Sequence, residues 1–163
     1  QVLPVWREAT TWLPLYLFLM LFAAMNFPRK AFSWILTAII TFAISDQLSG
    51  HLIKPMIARL RPCNDPEMLG ITRLLLPSCG SGYSFPSSHA TNHFGIAIFF
   101  IATVPPIKKY QYWFIGWAAI ICFAQIYVGV HYPIDVVCGA ILGILIGRLT
   151  SHFFNKYFHK IGG

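Results

Sequence analysis

The chain of 163 residues is 56% hydrophobic and only 10% charged, with a mean hydropathy of +0.63 and a formal net charge of +7. An ordinary soluble domain carries about 25% charged residues, so this composition excludes one and points to an integral membrane protein. The positive charge is divided along the chain instead of gathered in one patch, and no nucleic-acid partner is expected.

A spanning helix needs about 20 mainly apolar residues, and candidate runs lie at 11–27, 31–53, 89–105, 111–130 and 133–154. They leave no room for a separate soluble domain, so one transmembrane unit over 1–163, an all-α polytopic bundle, is expected. The first run ends in Asn26-Phe27-Pro28 and is followed by four more, which reads as a span and not as a cleaved signal peptide. A short link through Arg29 and Lys30 makes a helical hairpin with the second run, whose last turns carry Asp46, His51 and Lys54. Residues 63–88 are rich in Pro, Gly, Ser and Cys and lack an apolar stripe, so they read as a structured loop with room for a short helix.

Pro86-Ser87-Ser88 reads as the cap of the third helix, which starts at His89; free N–H groups at such an end suit an anion. The helix stops at Val104-Pro105-Pro106. The fourth runs from Tyr112 to about Gly129, and the fifth starts at Pro133, a residue suited to a first helical position. Gly139, Gly143 and Gly147 form a small-residue face for helix packing, and Trp113, Tyr127 and Tyr132 read as interfacial aromatics.

Threading these spans puts Arg29, Lys30, Lys108, Lys109, Arg148, Lys156 and Lys160 on one side and Arg7, Lys54, Arg59, Arg61 and Arg73 on the other. By the positive-inside rule the first side is cytoplasmic, and the second faces outward in a plasma or inner membrane. Cys63 and Cys79 lie in the outward loop, either as a disulfide allowed by an oxidising compartment or as two free thiols. Cys122 and Cys138 lie within spans and read as small buried hydrophobes.

Three polar clusters stand at the outward ends of the apolar runs, where ionisable groups are costly. They are Lys54 to Pro62 (KPMIARLRP), Pro86 to His89 (PSSH) and Gly129 to Asp135 (GVHYPID). Threading brings all three to one face. Lys54 and Arg61 can hold phosphate oxygens, the guanidinium bidentately and the ammonium as a point charge. A neutral His131 can attack phosphorus, with Asp135 four residues on holding its other ring nitrogen. His89 suits a general acid, and Ser87 with the N–H groups of Ser88 and His89 can bind phosphate. His93 shares a helix face with His89, but no third ligand accompanies it, and no metal is expected.

The spacing Lys54-x6-Arg61-Pro62, Pro86-Ser87-Ser88-His89 and His131-x3-Asp135 resembles the three-part signature of the type 2 phosphatidic acid phosphatase (PAP2) superfamily, whose active site vanadium haloperoxidases share. The resemblance spans roughly residues 40–145. It implies hydrolysis of a lipid phosphate or pyrophosphate through a phosphohistidine on His131, without cofactor or metal, at the outer membrane surface. Undecaprenyl pyrophosphate is the favoured substrate, with phosphatidylglycerol phosphate, phosphatidic acid and lipid A phosphates as others. It also implies a sixth span or interfacial helix upstream.

Two departures from the family pattern stand out. Ser88 replaces a glycine, and Ala124-Gln125 replace Ser-Arg, so that a phosphate-facing cation becomes an amide. Losing a charge-assisted hydrogen bond costs about 1.5–3 kcal/mol. A slow enzyme, replacement by Arg59 and an altered substrate are the three readings this leaves. The rival from another class is a weakly catalytic lipid-phosphate binder or transporter; a haloperoxidase is disfavoured because those enzymes are soluble. The oligomeric state is not legible.

Overall fold

A computed structural model describes residues 3–68 and 70–158, so Lys160 lies outside the described residues. The chain is built from helices: α1 (Leu3–Trp6), α2 (Leu13–Asn26), α3 (Pro28–Asp46), α4 (Lys54–Ile57), α5 (Ser88–Thr103), α6 (Pro105–Lys108), α7 (Gln111–Tyr127) and α8 (Pro133–Phe158). A 3-10 turn, Ala9–Trp12, precedes α2, and another, Pro66–Met68, sits in the long loop. Prolines near the starts of α2, α3 and α6 occupy positions where the missing N–H has no partner to lose.

Between α3 and α4 the chain stays helical but widens into a π-helical stretch, Gln47–Ile53, the kind of local widening common at functional sites. Together these segments form one rod, Pro28–Ile57, about 45 Å long at 1.5 Å per residue. That rod and Pro133–Phe158 are long and apolar enough to cross a membrane. The helices expected at 11–27, 89–105 and 111–130 are present but shorter, at 14, 16 and 17 residues. Prolines and the 3-10 turn trim their ends. Large apolar side chains such as Phe18, Phe32, Leu145 and Leu149 are exposed on the outside of the bundle.

Helix α5 is central, contacting α3, α7 and α8, while α2 packs on α3. The closest approach is between α5 and α8. A Cβ added to Gly139, Gly143 or Gly147 would collide with the carbonyl oxygens of Ser87, Thr91 and Gly95 respectively. The pairing advances in the same direction on both helices, so α5 and α8 run parallel and begin at the same end of the bundle. Glycine therefore serves here to let two backbones meet. At the far end Trp34, Phe99, Phe100 and Phe154 form the main apolar core with Leu19 and Ile96. Within it the Trp34 indole donates to Thr103 Oγ1 (2.8 Å), and Thr41 Oγ1 donates to Thr150 Oγ1 (2.9 Å).

Cys63 and Cys79 form a disulfide that closes the loop between α4 and α5 across 16 residues. The loop returns to α4 through Ser84, whose N–H donates to the Arg59 carbonyl (2.8 Å) and whose hydroxyl donates to that of Leu60 (2.9 Å).

Replacing Gly143 by Ala should lower stability by about 1–3 kcal/mol through overpacking. Replacing Gly116, around which nothing lies within 4 Å, should leave stability unchanged or raise it by up to about 1 kcal/mol. Thermal unfolding of the detergent-solubilised variants checks the contrast. Removing the disulfide as C63S/C79S should cost about 3 kcal/mol, as expected for closing a loop of this size, and should appear as faster proteolysis within residues 63–84.

Candidate functional site

Asp135 is in the first turn of α8, where a carboxylate complements the helix dipole. It is wholly buried. Its Oδ2 accepts the Tyr132 N–H at 2.9 Å, a reach-back of the kind that closes a helix start. Its Oδ1 accepts from Arg59 Nη1 at 3.0 Å. Its backbone carbonyl accepts the Ser87 N–H at 3.0 Å, a contact made possible by the absent Cβ of Gly139. The first turns of α5 and α8 are thereby tied together.

His131 is 3% exposed, and its Nδ1 lies 3.6 Å from Asp135 Oδ2. That separation is long for a hydrogen bond, so the carboxylate acts on the ring through its charge. It fixes which nitrogen is spoken for: Nδ1 faces Asp135, leaving Nε2 as the nitrogen for chemistry. Burial holds the His131 pKa below the usual histidine value, Asp135 opposes this, and the charges of Lys54 and Arg61 add to the depression. The neutral form of the ring is thereby favoured. Gly129, at φ +83° with a Cβ position 2.8 Å from the Arg73 carbonyl oxygen, makes the sharp turn out of α7 that presents His131.

Arg59 departs from the expectation that it replaces a cation at position 125. Helix α4 ends at Ala58 in the left-handed region (φ 50°, ψ 31°), and this turns Arg59 back over the site's rim. There it pairs with Asp135 and lies 4.0 Å above the Tyr132 ring. Tyr132 is likewise more than an interfacial aromatic, since its hydroxyl donates to Asp65 Oδ2 at 2.6 Å. That bond and the Glu67 N–H hold the Asp65 carboxyl below its usual range.

Among the described residues two motif cations remain without a close carboxylate partner. Arg61 is half-buried and, among the described residues, reaches the Gly82 and Ser81 carbonyls alone, at 3.4 Å each. Burial and the nearby Arg7 lower its pKa, and Asp135 opposes them. Lys54 lines a polar recess with Gly50, His51 and Gly82 and lies within electrostatic reach of Arg61, Asp46 and Asp135. Opposite them Ser87 caps α5, its Oγ accepting the Ala90 N–H at 3.4 Å. His89 is half-buried and within electrostatic reach of His131, Lys54 and Arg7. His93, stacked on His89 at 6.2 Å, donates from Nδ1 to the His89 carbonyl at 2.7 Å, which places it in support of that ring.

Ser88 and His89 close the polar end of an apolar cavity of about 550 Å³ between α2, α3 and α5, lined among others by Leu13, Met20, Ile39 and Phe42. Gln125 is fully buried on α7. Its Oε1 accepts from Arg7 Nε at 3.2 Å, a residue that the sequence shows only as one of the outward cations. The usable signal was that Arg7 and Glu8 are the sole charged residues before Arg29, set between Trp6 and Trp12. The whole arrangement gathers cations, a neutral imidazole and a helix N-terminus at the mouth of an apolar groove. It suits a tetrahedral anion carrying an apolar tail.

The sequence is 34% identical over 148 residues to a lipid A 4'-phosphatase of Bacteroides thetaiotaomicron, covering 89% of this chain and 65% of the relative. It is 36% identical over 117 residues to an undecaprenyl-diphosphatase of Sulfolobus acidocaldarius (71% and 52% covered). It is 30% identical over 142 residues to phosphatidylglycerophosphatase B of Bacillus subtilis (82% and 64% covered). The chain thus spans between about half and two thirds of the length of these relatives. The crystal structure of a transmembrane PAP2 type phosphatidylglycerolphosphate phosphatase from Bacillus subtilis superposes with a TM-score of 0.69 at 23% identity, over 96% of this chain and 76% of that one, a likeness of fold. The sequence model of the PAP2 superfamily matches residues 34–159, a stretch holding all three polar clusters and both parallel helices, and the chain belongs to that superfamily.

Proposed function

We propose that the protein hydrolyses a lipid phosphate or lipid pyrophosphate at the membrane surface, without a metal, through a phosphohistidine on His131. The observation that carries this reading is the position of His131: its Nδ1 is turned to a buried carboxylate and its neutral ring lies within reach of the charges of Lys54 and Arg61. Nε2 attacks phosphorus, an N–P bond forms, and the bond from phosphorus to the leaving oxygen breaks. His89 gives that oxygen its proton. Water, giving a proton to His89, then attacks phosphorus, breaks the N–P bond and releases inorganic phosphate. Asp135 stabilises the positive charge that develops on the imidazole. Lys54, Arg61, Ser87, the Ser88 N–H and Gln125 bind the phosphoryl oxygens, where fixed donors matter most for catalysis.

The apolar tail lies in the cavity between α2, α3 and α5, with the head group at Ser88 and His89. Among the head groups weighed from the sequence, the lipid A 4'-phosphatase relatives favour a lipid A phosphate over undecaprenyl pyrophosphate. The site faces the periplasm or exterior of a plasma or inner membrane. The Cys63–Cys79 disulfide in the same loop as Arg61 supports that orientation, since such bridges persist in oxidising compartments.

Detergent-purified protein, free of added metal, should release phosphate from lipid A, undecaprenyl pyrophosphate or phosphatidic acid. His131→Ala should abolish release while leaving thermal unfolding within a few degrees of the parent, and orthovanadate should inhibit at millimolar concentration or below. No release from any of the three by folded protein would sink the reading. A second outcome concerns pH. The nucleophile is the neutral ring, so kcat/KM rises as pH climbs through the His131 pKa. Because Arg61 helps hold that pKa down, Arg61→Gln should move the acid limb of the remaining activity to higher pH; an unmoved limb would argue against His131 as the titrating group.

A further inference from the structure

The N-terminal segment bears on the site in a way the three polar clusters do not disclose. Helix α1 packs on α7, and aromatic contacts hold the segment there: Trp6 on Trp12 and Trp12 on Trp117, each at 5.7 Å, then Trp117 on His93 at 5.1 Å. Trp12 Nε1 donates to the Trp6 carbonyl and Thr11 Oγ1 to that of Val5, both at 2.7 Å. Thr10 lines the apolar cavity whose polar end is His89. The segment is thus fastened beside the site.

Arg7 leaves this strap pointing inward. Its side chain is 15% exposed, while that of its neighbour Glu8, 2.9 Å from Nη1, is 54% exposed. Nε is spent on Gln125 Oε1 at 3.2 Å, and among the described residues Nη2 has no acceptor. Arg7 acts electrostatically on Arg61 and on His89, so its charge is within reach of both the binding cation and the start of α5. Gln125 is wholly buried, and its Nε2 has no hydrogen-bond partner. A buried amide donor left unpaired is costly, and so is a set of like charges held within reach of one another. An anion placed among Arg7, Arg61, Lys54 and Gln125 Nε2 relieves both.

We propose that Arg7 is a phosphate-binding residue, held in place by Gln125, and that the two together supply the cation missing from position 125. This rests on the phosphatase reading above, and it deepens that reading by adding a residue outside the three clusters. Glu8 partners Nη1 from the solvent side and leaves Nη2 for the ligand. Gln125 is a positioning residue through Oε1 and a direct donor through Nε2.

The test compares wild type, Arg7→Ala, Arg7→Lys and the double variant R7A/Q125R in detergent. The readouts are kcat and KM on the active lipid phosphate, orthovanadate inhibition, and thermal shift with orthovanadate. Arg7→Ala should lower kcat/KM by about 10- to 150-fold, the range for a lost charge-assisted hydrogen bond, and weaken vanadate binding similarly, with the ligand-free unfolding temperature little changed. Arg7→Lys should recover only part of the loss, since Lys lacks the fork that bonds Gln125 and phosphate together. R7A/Q125R should regain activity and vanadate affinity. Full activity and vanadate affinity in Arg7→Ala would overturn the proposal, as would a loss that follows unfolding and is not rescued by Arg at 125. If the wild type released no phosphate, the catalytic reading would fall, and the vanadate thermal shift would decide Arg7 by itself: present in wild type and lost in Arg7→Ala upholds it, retained in Arg7→Ala or absent from both overturns it.

Discussion

The fully buried carboxylate of Asp135 is the constraint on which the rest of the site hangs. An ionised group removed from water costs several kcal/mol unless donors surround it, and here they come from separate stretches of the chain: Arg59 beyond α4 and the Tyr132 N–H, with the His131 ring facing the same oxygen at 3.6 Å. The same residue's carbonyl takes the Ser87 N–H. Each cluster therefore has its position set by atoms of one side chain and one peptide group. The glycine face of α8 is what makes this reachable, because with any larger residue at Gly139 the first turn of α5 would stand away from it.

Once Arg59 has neutralised Asp135, the remaining charge is lopsided. Arg7, Lys54 and Arg61 face the interior of the site, whereas the acids near them are engaged: Glu8 with Arg7, Asp65 with Tyr132, and Asp46 with the Asn92 amide at 3.1 Å. The repulsion among the cations is held in place by the fold before any ligand arrives. Such pre-organisation is where electrostatic catalysis draws its advantage, since the donors need not reorient as charge develops. The groove beside it is mainly apolar, so two surfaces of opposite character adjoin there.

Much of this was legible in the sequence. The helical runs fall close to their expected places, and the clusters at Lys54–Pro62, Pro86–His89 and Gly129–Asp135 do come to one end of the bundle. The Gly139, Gly143 and Gly147 spacing predicted close helix packing, and the structure shows which carbonyls it admits. What failed to show were interactions without periodicity. Arg59 could be read as a spare cation because nothing in KPMIARLRP announces that Ala58 turns left-handed and aims it at a carboxylate 76 residues away. Arg7 lies 118 residues from Gln125, and a pairing that distant leaves no local pattern. Tyr132 looked like a membrane-interface ring because its hydroxyl partner, Asp65, lies across a loop whose path depends on the Cys63–Cys79 bridge. Three helices are shorter than expected because hydropathy continues past the prolines and turns that stop the backbone, while the runs expected at 31–53 and 133–154 extend further, to Pro28–Ile57 and Pro133–Phe158.

The widened stretch Gln47–Ile53 acts as a phase adjuster between two jobs of one rod. Below it, Trp34, Thr41 and Ser45 are buried against the bundle and fix the rotation of α3; above it, Lys54 must look toward Arg61 and His131. In an unbroken α-helix each residue advances the azimuth by about 100°, so the heading of Lys54 would be dictated by the packing of Trp34 some twenty residues earlier. A segment with wider turns uncouples the two angles. The azimuth of Lys54 is thereby set over the seven residues Gln47–Ile53 instead of being carried unchanged from Trp34.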